Sequence, residues 1–162
     1  MNTRRALAVT FTALASACAS YSGYGLHPGS STADDVVKTM GKPAAEFDEP
    51  GGGRELFFPR GPLGTQTFVA HLDAKGTLQG IEQVLDDDHF RAIHEGQTRD
   101  QVLRMIGPPG DSMRFNNGTY AWVWRFRDTW GYLSDFNVTF DANDIVVAKI
   151  AIRLEPNDSK DR

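Results

Sequence analysis

The stretch EGQTRDQVLRMIGPP, residues 95–109, decides the fold, because the chain carries it twice. The earlier copy reads PGSSTADDVVKTMGKP, residues 28–43. Setting Val36 on Val102 also pairs Thr32 with Thr98, Gly41 with Gly107 and Pro43 with Pro109, and only the leading glycine slips by one place. Matched punctuation of this kind signals a repeated structural unit. Each copy spells a short helix. In the later one Thr98 caps, Gln101 reaches back to complete a capping box, and Val102, Met105 and Ile106 form the buried stripe. In the earlier one Thr32 caps, Asp34 and Asp35 suit the positive end of the helix dipole, and Val36, Val37 and Met40 form the stripe. Gly41 and Gly107 are expected to stop the helices in the left-handed conformation, with prolines beyond them. Helices of about two turns are too short to stand alone, so both must dock on other elements.

Those other elements read as strands. After the first helix, residues 54–58 (RELFF) and 66–73 (QTFVAHLD) flank a turn rich in proline and glycine at 59–64. In the second of these strands Phe68, Ala70 and Leu72 alternate with Val69, His71 and Asp73. A tight turn at 74–76 sends the chain back as a strand over 77–85. The second unit opens with an acid-capped short helix at 86–94, with Phe90 and Ile93 on its apolar side. After its main helix, 119–127 (TYAWVWRFR) carries Tyr120, Trp122, Trp124 and Phe126 on one face. A wide turn at 128–133 and strands over 134–141 and 145–154 follow. FVAHLDAKG (68–76) and FNVTFDAND (136–144) echo one another, so the duplication extends over whole units. The fold class is α+β: two tandem units, 28–85 and 86–154, each a short helical element packed on a small antiparallel sheet. Residues 155–162 are a polar tail.

The first residues are an address. Arg4 and Arg5 precede an apolar and small-residue run, 6–17, and then Cys18, the one cysteine of the chain. A charged start, a short apolar run and small residues before a cut make a secretory signal. The run LASAC, 14–18, resembles a bacterial lipobox, in which the cysteine becomes the acylated first residue. Leu14 stands one place earlier than is usual there, and Ala15-Ser16-Ala17 also reads as an ordinary cleavage site, which leaves a soluble secreted protein as the alternative. Ala19 lacks the aspartate that favours inner-membrane retention, so the resemblance implies the outer membrane, facing the periplasm. Residues 18–27 then form a lipidated cysteine and a flexible tether rich in Ser, Gly and Tyr.

Bulk composition narrows the function classes. The chain has 162 residues, 40% hydrophobic and 23% charged, with a formal net charge of −4. Removal of 1–17 takes Arg4 and Arg5 from 17 basic residues and leaves 15 against 21 acidic, a net charge of −6. That balance argues against nucleic acid, which needs a basic stripe. No later segment reaches the ~20 apolar residues of a membrane span.

The ordered motifs are similar to those of the SmpA/OmlA (BamE-like) family of outer-membrane lipoproteins. Gly96, Thr98, Val102, Gly107 and Pro109 match its helix signature, Trp122, Trp124 and Phe126 its aromatic strand, and Phe140-Asp141 its penultimate strand end. Two such units in tandem also resemble the secreted β-lactamase inhibitor protein, whose paired units form a concave sheet face. The first resemblance implies a lipid-anchored envelope protein that supports outer-membrane protein assembly or envelope integrity, with barrel-assembly components as partners. The second implies an enzyme inhibitor.

A catalytic set is not found. Cys18 is consumed by processing or sits on the tether, His27 is in the tether, and no serine occupies a G-x-S-x-G turn. His89 and His94 are five apart, off the i, i+4 spacing of a helical metal pair. His89 beside Asp86, Asp87 and Asp88 reads as a solvated helix cap, His71 as a residue of an open sheet face with Asp73, and Gly51-Gly52-Gly53 as a hairpin loop. The expectation is a protein that is not an enzyme and uses no cofactor, metal or small-molecule substrate. Aromatics are the stronger lead. Trp122, Trp124 and Trp130 fall within nine residues, beside Tyr132, Arg125 and Arg127. Trp122 and Trp124 read first as core under the helices. With the loop aromatics and arginines, these six residues form the candidate protein-interaction surface.

Overall fold

Thr32 and Thr98 start the two main helices in the same way. The computed structural model describes residues 22–60 and 64–154, so the expected signal segment, 1–17, Cys18 and the 155–162 tail lie outside the described residues. Helix α1 spans Ala33–Met40. Thr32 Oγ1 accepts the Asp35 amide at 3.2 Å, and the Asp35 carboxylate accepts the Thr32 amide at 2.9 Å. Helix α2 spans Asp87–Ala92, and helix α3 spans Arg99–Ile106. At α3, Thr98 Oγ1 accepts from Gln101 N–H at 3.2 Å and Gln101 Oε1 from Thr98 N–H at 2.8 Å. Both ends are thus capping boxes, although the sequence reading assigned one only to Thr98. The C-caps differ from expectation in ψ. Gly41 (φ 84°, ψ −169°) and Gly107 (φ 75°, ψ −172°) have the positive φ that favours glycine but an extended ψ, a region open essentially to glycine alone.

Among the described residues, eight strands form two four-stranded antiparallel sheets, each in simple sequential order. The first holds β1 (Ala45–Asp48), β2 (Arg54–Arg60), β3 (Gln66–Leu72) and β4 (Leu78–Gln83). The second holds β5 (Asp111–Arg114), β6 (Tyr120–Arg127), β7 (Leu133–Phe140) and β8 (Val146–Arg153). Edge strand β5 is exposed throughout and has no alternation to announce it, and β1 alternates Ala45 and Phe47 with Glu46 and Asp48 over only four residues. Strand β2 also runs through Pro59, where the sequence suggested a turn. β1 pairs with β2 only as far as Phe57, so the N–H that Pro59 lacks is not missed by that ladder.

The duplication is written in hydrogen bonds. Ala45 stands opposite Phe57, and Asp111 opposite Val123, 66 residues later in each case. Asp73 Oδ1 accepts the Lys75 and Thr77 amides at 2.9 Å each; Asp141 Oδ1 accepts those of Asn143 and Ile145 at 2.8 and 2.9 Å. Each turn then holds its unit's helix start: Ala33 N–H donates to Gly76 O, and Arg99 N–H to Asp144 O. One position diverges. Asp144 adopts φ 63° where the first unit has Gly76. Its carboxylate is used, accepting from Tyr120 Oη and pairing with Arg99 Nη1 at 2.9 Å.

Packing ties the units together. Val36 and Met40 of α1 pack on Leu56, Phe58, Ala70 and Leu72, one face of the first sheet, and Leu26 joins them from the segment before α1. Val102 and Ile106 of α3 pack on Trp124, Phe136, Val138 and Phe140 of the second sheet. Phe57 and Val69, on the opposite face of the first sheet, belong to this second cluster. The end of α3 is the contact: an ideal Cβ on Gly107 would stand 2.7 Å from the Phe57 ring. Phe90 of α2 stacks on Phe136 at 4.1 Å. Lys149 Nζ donates to the carbonyls of Phe90, Arg91 and Ile93, satisfying the oxygens that the short helix leaves unpaired.

Candidate functional site

The β6–β7 turn is built around Asp128. Its Oδ1 accepts the amides of Trp130 at 3.0 Å and Tyr132 at 2.9 Å. Its Oδ2 accepts Arg153 Nε at 3.0 Å and Nη2 at 2.6 Å, so the last residue of β8 braces the turn. Arg127 Nη1 donates to Gly131 O at 2.9 Å from the other side. The Arg153 guanidinium also lies 4.2 Å from the Tyr132 ring centroid, a cation–π contact. Partial burial pulls the Asp128 carboxyl upward, but the Arg153 bonds and the Tyr132 and Trp130 amides outweigh it and hold it below its ordinary value. The result is a wide turn with fixed geometry that leaves Trp130 79% and Tyr132 49% exposed. Large exposed aromatics on a hydrogen-bonded turn are of the residue type enriched at protein-recognition surfaces.

The remaining residues of the expected surface divide among three places. Trp124 is core, 1% exposed, with Nε1–H donating to Gly107 O at 3.1 Å. Trp122 is half-buried on the same face, edge-on to Trp124 at 6.0 Å and beneath Arg99 at 5.9 Å. Their alternation with Phe126 places them under the helices, so neither belongs to the exposed turn. Arg125 points to the other face of the second sheet and forms a forked pair with Asp135, Nε at 2.8 Å and Nη2 at 3.0 Å. Arg127 is exposed beside the turn. The structure therefore brings together Arg127, Trp130 and Tyr132, with Asp128 and Arg153 as supports that the sequence reading missed. Asp128 was legible as an acid opening a wide turn. Arg153 lies 25 residues away and becomes its partner only through the β7–β8 pairing.

A cleft of about 450 Å³ lies beside this face. Met113, Val123, Arg125 and Asn137 line it from the second unit, and Pro59 and Thr67 from the first. Of its charged groups, Arg125 pairs with Asp135, and Asp111 Oδ1 accepts the Ser112 amide at 2.7 Å. The rings of His71, His89 and His94 meet carboxylate or backbone oxygens rather than a serine or cysteine. Among the described residues one set of metal-ligand type side chains converges, Glu49, Glu55 and His71. The sequence reading placed His71 with Asp73, but Asp73 is turned into its own hairpin, and the cross-strand register puts Glu55 opposite His71 instead.

No protein-family model and no curated protein matches the chain. Solved structures similar to it include the osmotically inducible lipoprotein OsmE, at 18% identity over 43% of this chain and 82% of that one, TM-score 0.38. A DUF4309 family protein, YjgB, from Bacillus subtilis is similar at 11% identity over 82% of this chain and 84% of that one, TM-score 0.31. An extracellular protein containing an SCP domain, from Bacillus anthracis, is similar at 9% identity over 94% of this chain and 50% of that one, TM-score 0.31.

Proposed function

We propose that the protein is a non-catalytic, lipid-anchored envelope protein that binds other proteins through the braced β6–β7 turn. The observation that carries this reading is Trp130, 79% exposed on a turn that Asp128 and Arg153 hold in one conformation. The N-terminal address supports the location: a signal segment, 1–17, followed by Cys18 as the acylated first residue, anchored at the outer membrane and facing the periplasm. The partner class is envelope protein, with outer-membrane barrel-assembly components first among them, as the BamE-like resemblance implies. No helix among the described residues is long and apolar enough to cross a membrane.

Two experiments test the two halves of the proposal. Palmitate labelling of wild type against Cys18→Ala tests the anchor; an unlabelled wild type removes it. Capture from envelope extracts with wild type and Trp130→Ala tests the surface. Recovery of barrel-assembly proteins by wild type, lost with Trp130→Ala, is the expected result. Equal recovery by both sinks the turn as the contact.

The cleft between the units supports a second reading, an inhibitor that engages one enzyme with a concave face. It predicts recovery of a single hydrolase and stoichiometric loss of that hydrolase's activity on adding purified protein. Arg125→Ala, rather than Trp130→Ala, would then weaken capture.

A further inference from the structure

The β1–β2 hairpin and β3 gather ligand-type side chains on the open part of the first sheet. Glu55 and His71 stand directly opposite in the β2–β3 register. Glu49 reaches them from the turn after β1, which closes through Glu49 N–H to Gly53 O at 2.9 Å and Gly52 N–H to Glu49 O at 3.1 Å. A Cβ at Gly53 would stand 2.7 Å from Leu72 O and 2.9 Å from Glu49 Oε2, so the backbone of β3 and the Glu49 carboxylate both approach closely there. Gly80 lies across from His71 on β4 and adds no side chain to crowd the ring.

The imidazole is already oriented. His71 Nε2 lies 3.0 Å from Glu82 Oε1, a hydrogen-bond distance. In the neutral ring that bond keeps the proton on Nε2, so Nδ1 offers its lone pair. Nδ1 faces Glu55 Oε1 at 3.5 Å and Glu49 Oε1 at 3.9 Å. Both separations exceed normal hydrogen bonds. The shorter is close to the spacing of donor atoms that share one ion: two ligands about 2.1 Å from a tetrahedral centre stand about 3.4 Å apart. The ligand atoms of all three residues lie within 4.8 Å of one another. The charge balance points the same way. Two carboxylates, Glu49 and Glu55, meet at this point. Arg104 is engaged elsewhere, over the Phe47 ring at 4.6 Å and donating to Asp48 O at 3.3 Å.

We propose that Glu49, Glu55 and His71 bind a divalent first-row transition ion, with Glu82 orienting the His71 ring from behind. One imidazole nitrogen with carboxylate oxygens suits Zn²⁺ and its neighbours better than Ca²⁺ or Mg²⁺, which take oxygen alone. A carboxylate behind the ligating histidine is the usual outer-shell support. Bound metal ties the β1–β2 hairpin to β3.

The test is calorimetric titration of Zn²⁺ into the untagged full chain. The expected result is one ion per chain, weakened at least about tenfold by His71→Ala and by Glu49→Gln with Glu55→Gln, and about 10–100-fold by Glu82→Gln. His89→Ala alters a histidine paired with Asp86 on another element and leaves binding unchanged. Zn²⁺ also raises the melting temperature of wild type but not of His71→Ala. Absence of saturable binding, binding undiminished in His71→Ala, or binding lost in His89→Ala overturns the proposal. Should His71→Ala not fold, Glu49→Gln, on the exposed hairpin, decides by the same criterion.

Discussion

The two units share one hydrogen-bond plan and differ in what covers the face turned away from their own helices. In the first unit that face carries Ala45, Phe47, Phe57 and Val69, all packed into the cluster around α3. At the matching register positions the second unit has Asp111, Met113, Val123 and Asn137. The first face is an apolar seam filled by the other unit; the second is more polar and lines the cleft, with Asp111 and Met113 exposed and Val123 and Asn137 buried. Arg125 and Asp135 on the second sheet pair within that cleft. The helix stops show the same contrast. A Cβ on Gly41 would meet nothing within 4 Å, whereas one on Gly107 would press on the Phe57 ring and, at 3.1 Å, on Thr67 Cγ2.

The contrast is most directly broken at Phe57. All three tryptophans lie in the second unit, so their fluorescence reports its unfolding. Phe57→Ala deletes a buried ring of the first unit and should cost about 3–5 kcal/mol. If the shared cluster couples the units, the tryptophan-detected midpoint falls with it. An unchanged midpoint would show two independent cores.

Next comes the pair of helix stops. Gly41→Ala and Gly107→Ala meet the same positive-φ strain, of order 1–3 kcal/mol. Gly107→Ala adds overpacking against Phe57, about 1–3 kcal/mol more. Urea unfolding of both variants measures the difference, and equal losses would remove the close contact from the account.

A smaller and symmetric effect is expected in acid. Hydrogen bonds from the Thr77 amide and the Ile145 amide lead the causes that lower Asp73 and Asp141 respectively. Stability from a lowered carboxyl is present above its unfolded value of about 3.9 and is lost as pH falls through the folded value. Asp73→Asn and Asp141→Asn should each flatten the decline of the melting temperature between about pH 5 and pH 2, and by similar amounts. A flattening in one variant alone would mean that the two turns are not equivalent.

Smallest of all, Trp130→Ala should change stability by no more than about 0.5 kcal/mol, as an exposed turn residue. A larger loss in thermal melts would assign the ring to the fold and withdraw it from recognition.

How much of this was readable from residues alone follows from range. The helices were legible because caps, stripes and stops lie within one short window. β3, β6 and β7 were legible because Phe68, Trp124 and Phe136 belong to period-two runs. β1 and β5 were not, since AEFD and DSMR become strands only through pairing with β2 and β6. The exposed turn was partly legible: Trp130 and Tyr132 stood out in the 128–133 stretch, and the period-two run already read Trp124 first as core, where the sheet places it. The Arg153 brace and the Glu55–His71 pairing depend on register, which local sequence does not declare.

The shared cluster has a consequence for a chain that emerges from its N-terminus. The first sheet can close over α1 as soon as β4 is out, because Val36, Met40 and Leu72 need nothing later. Its other face then holds Phe57 and Val69 in water until α3 arrives, more than thirty residues after Val69. Until then that half-finished surface is apolar and adhesive, the kind that draws chaperones or aggregates. The second unit thus acts, for a time, as the awaited lid of the first, and the order of synthesis becomes part of how this protein avoids misassembly.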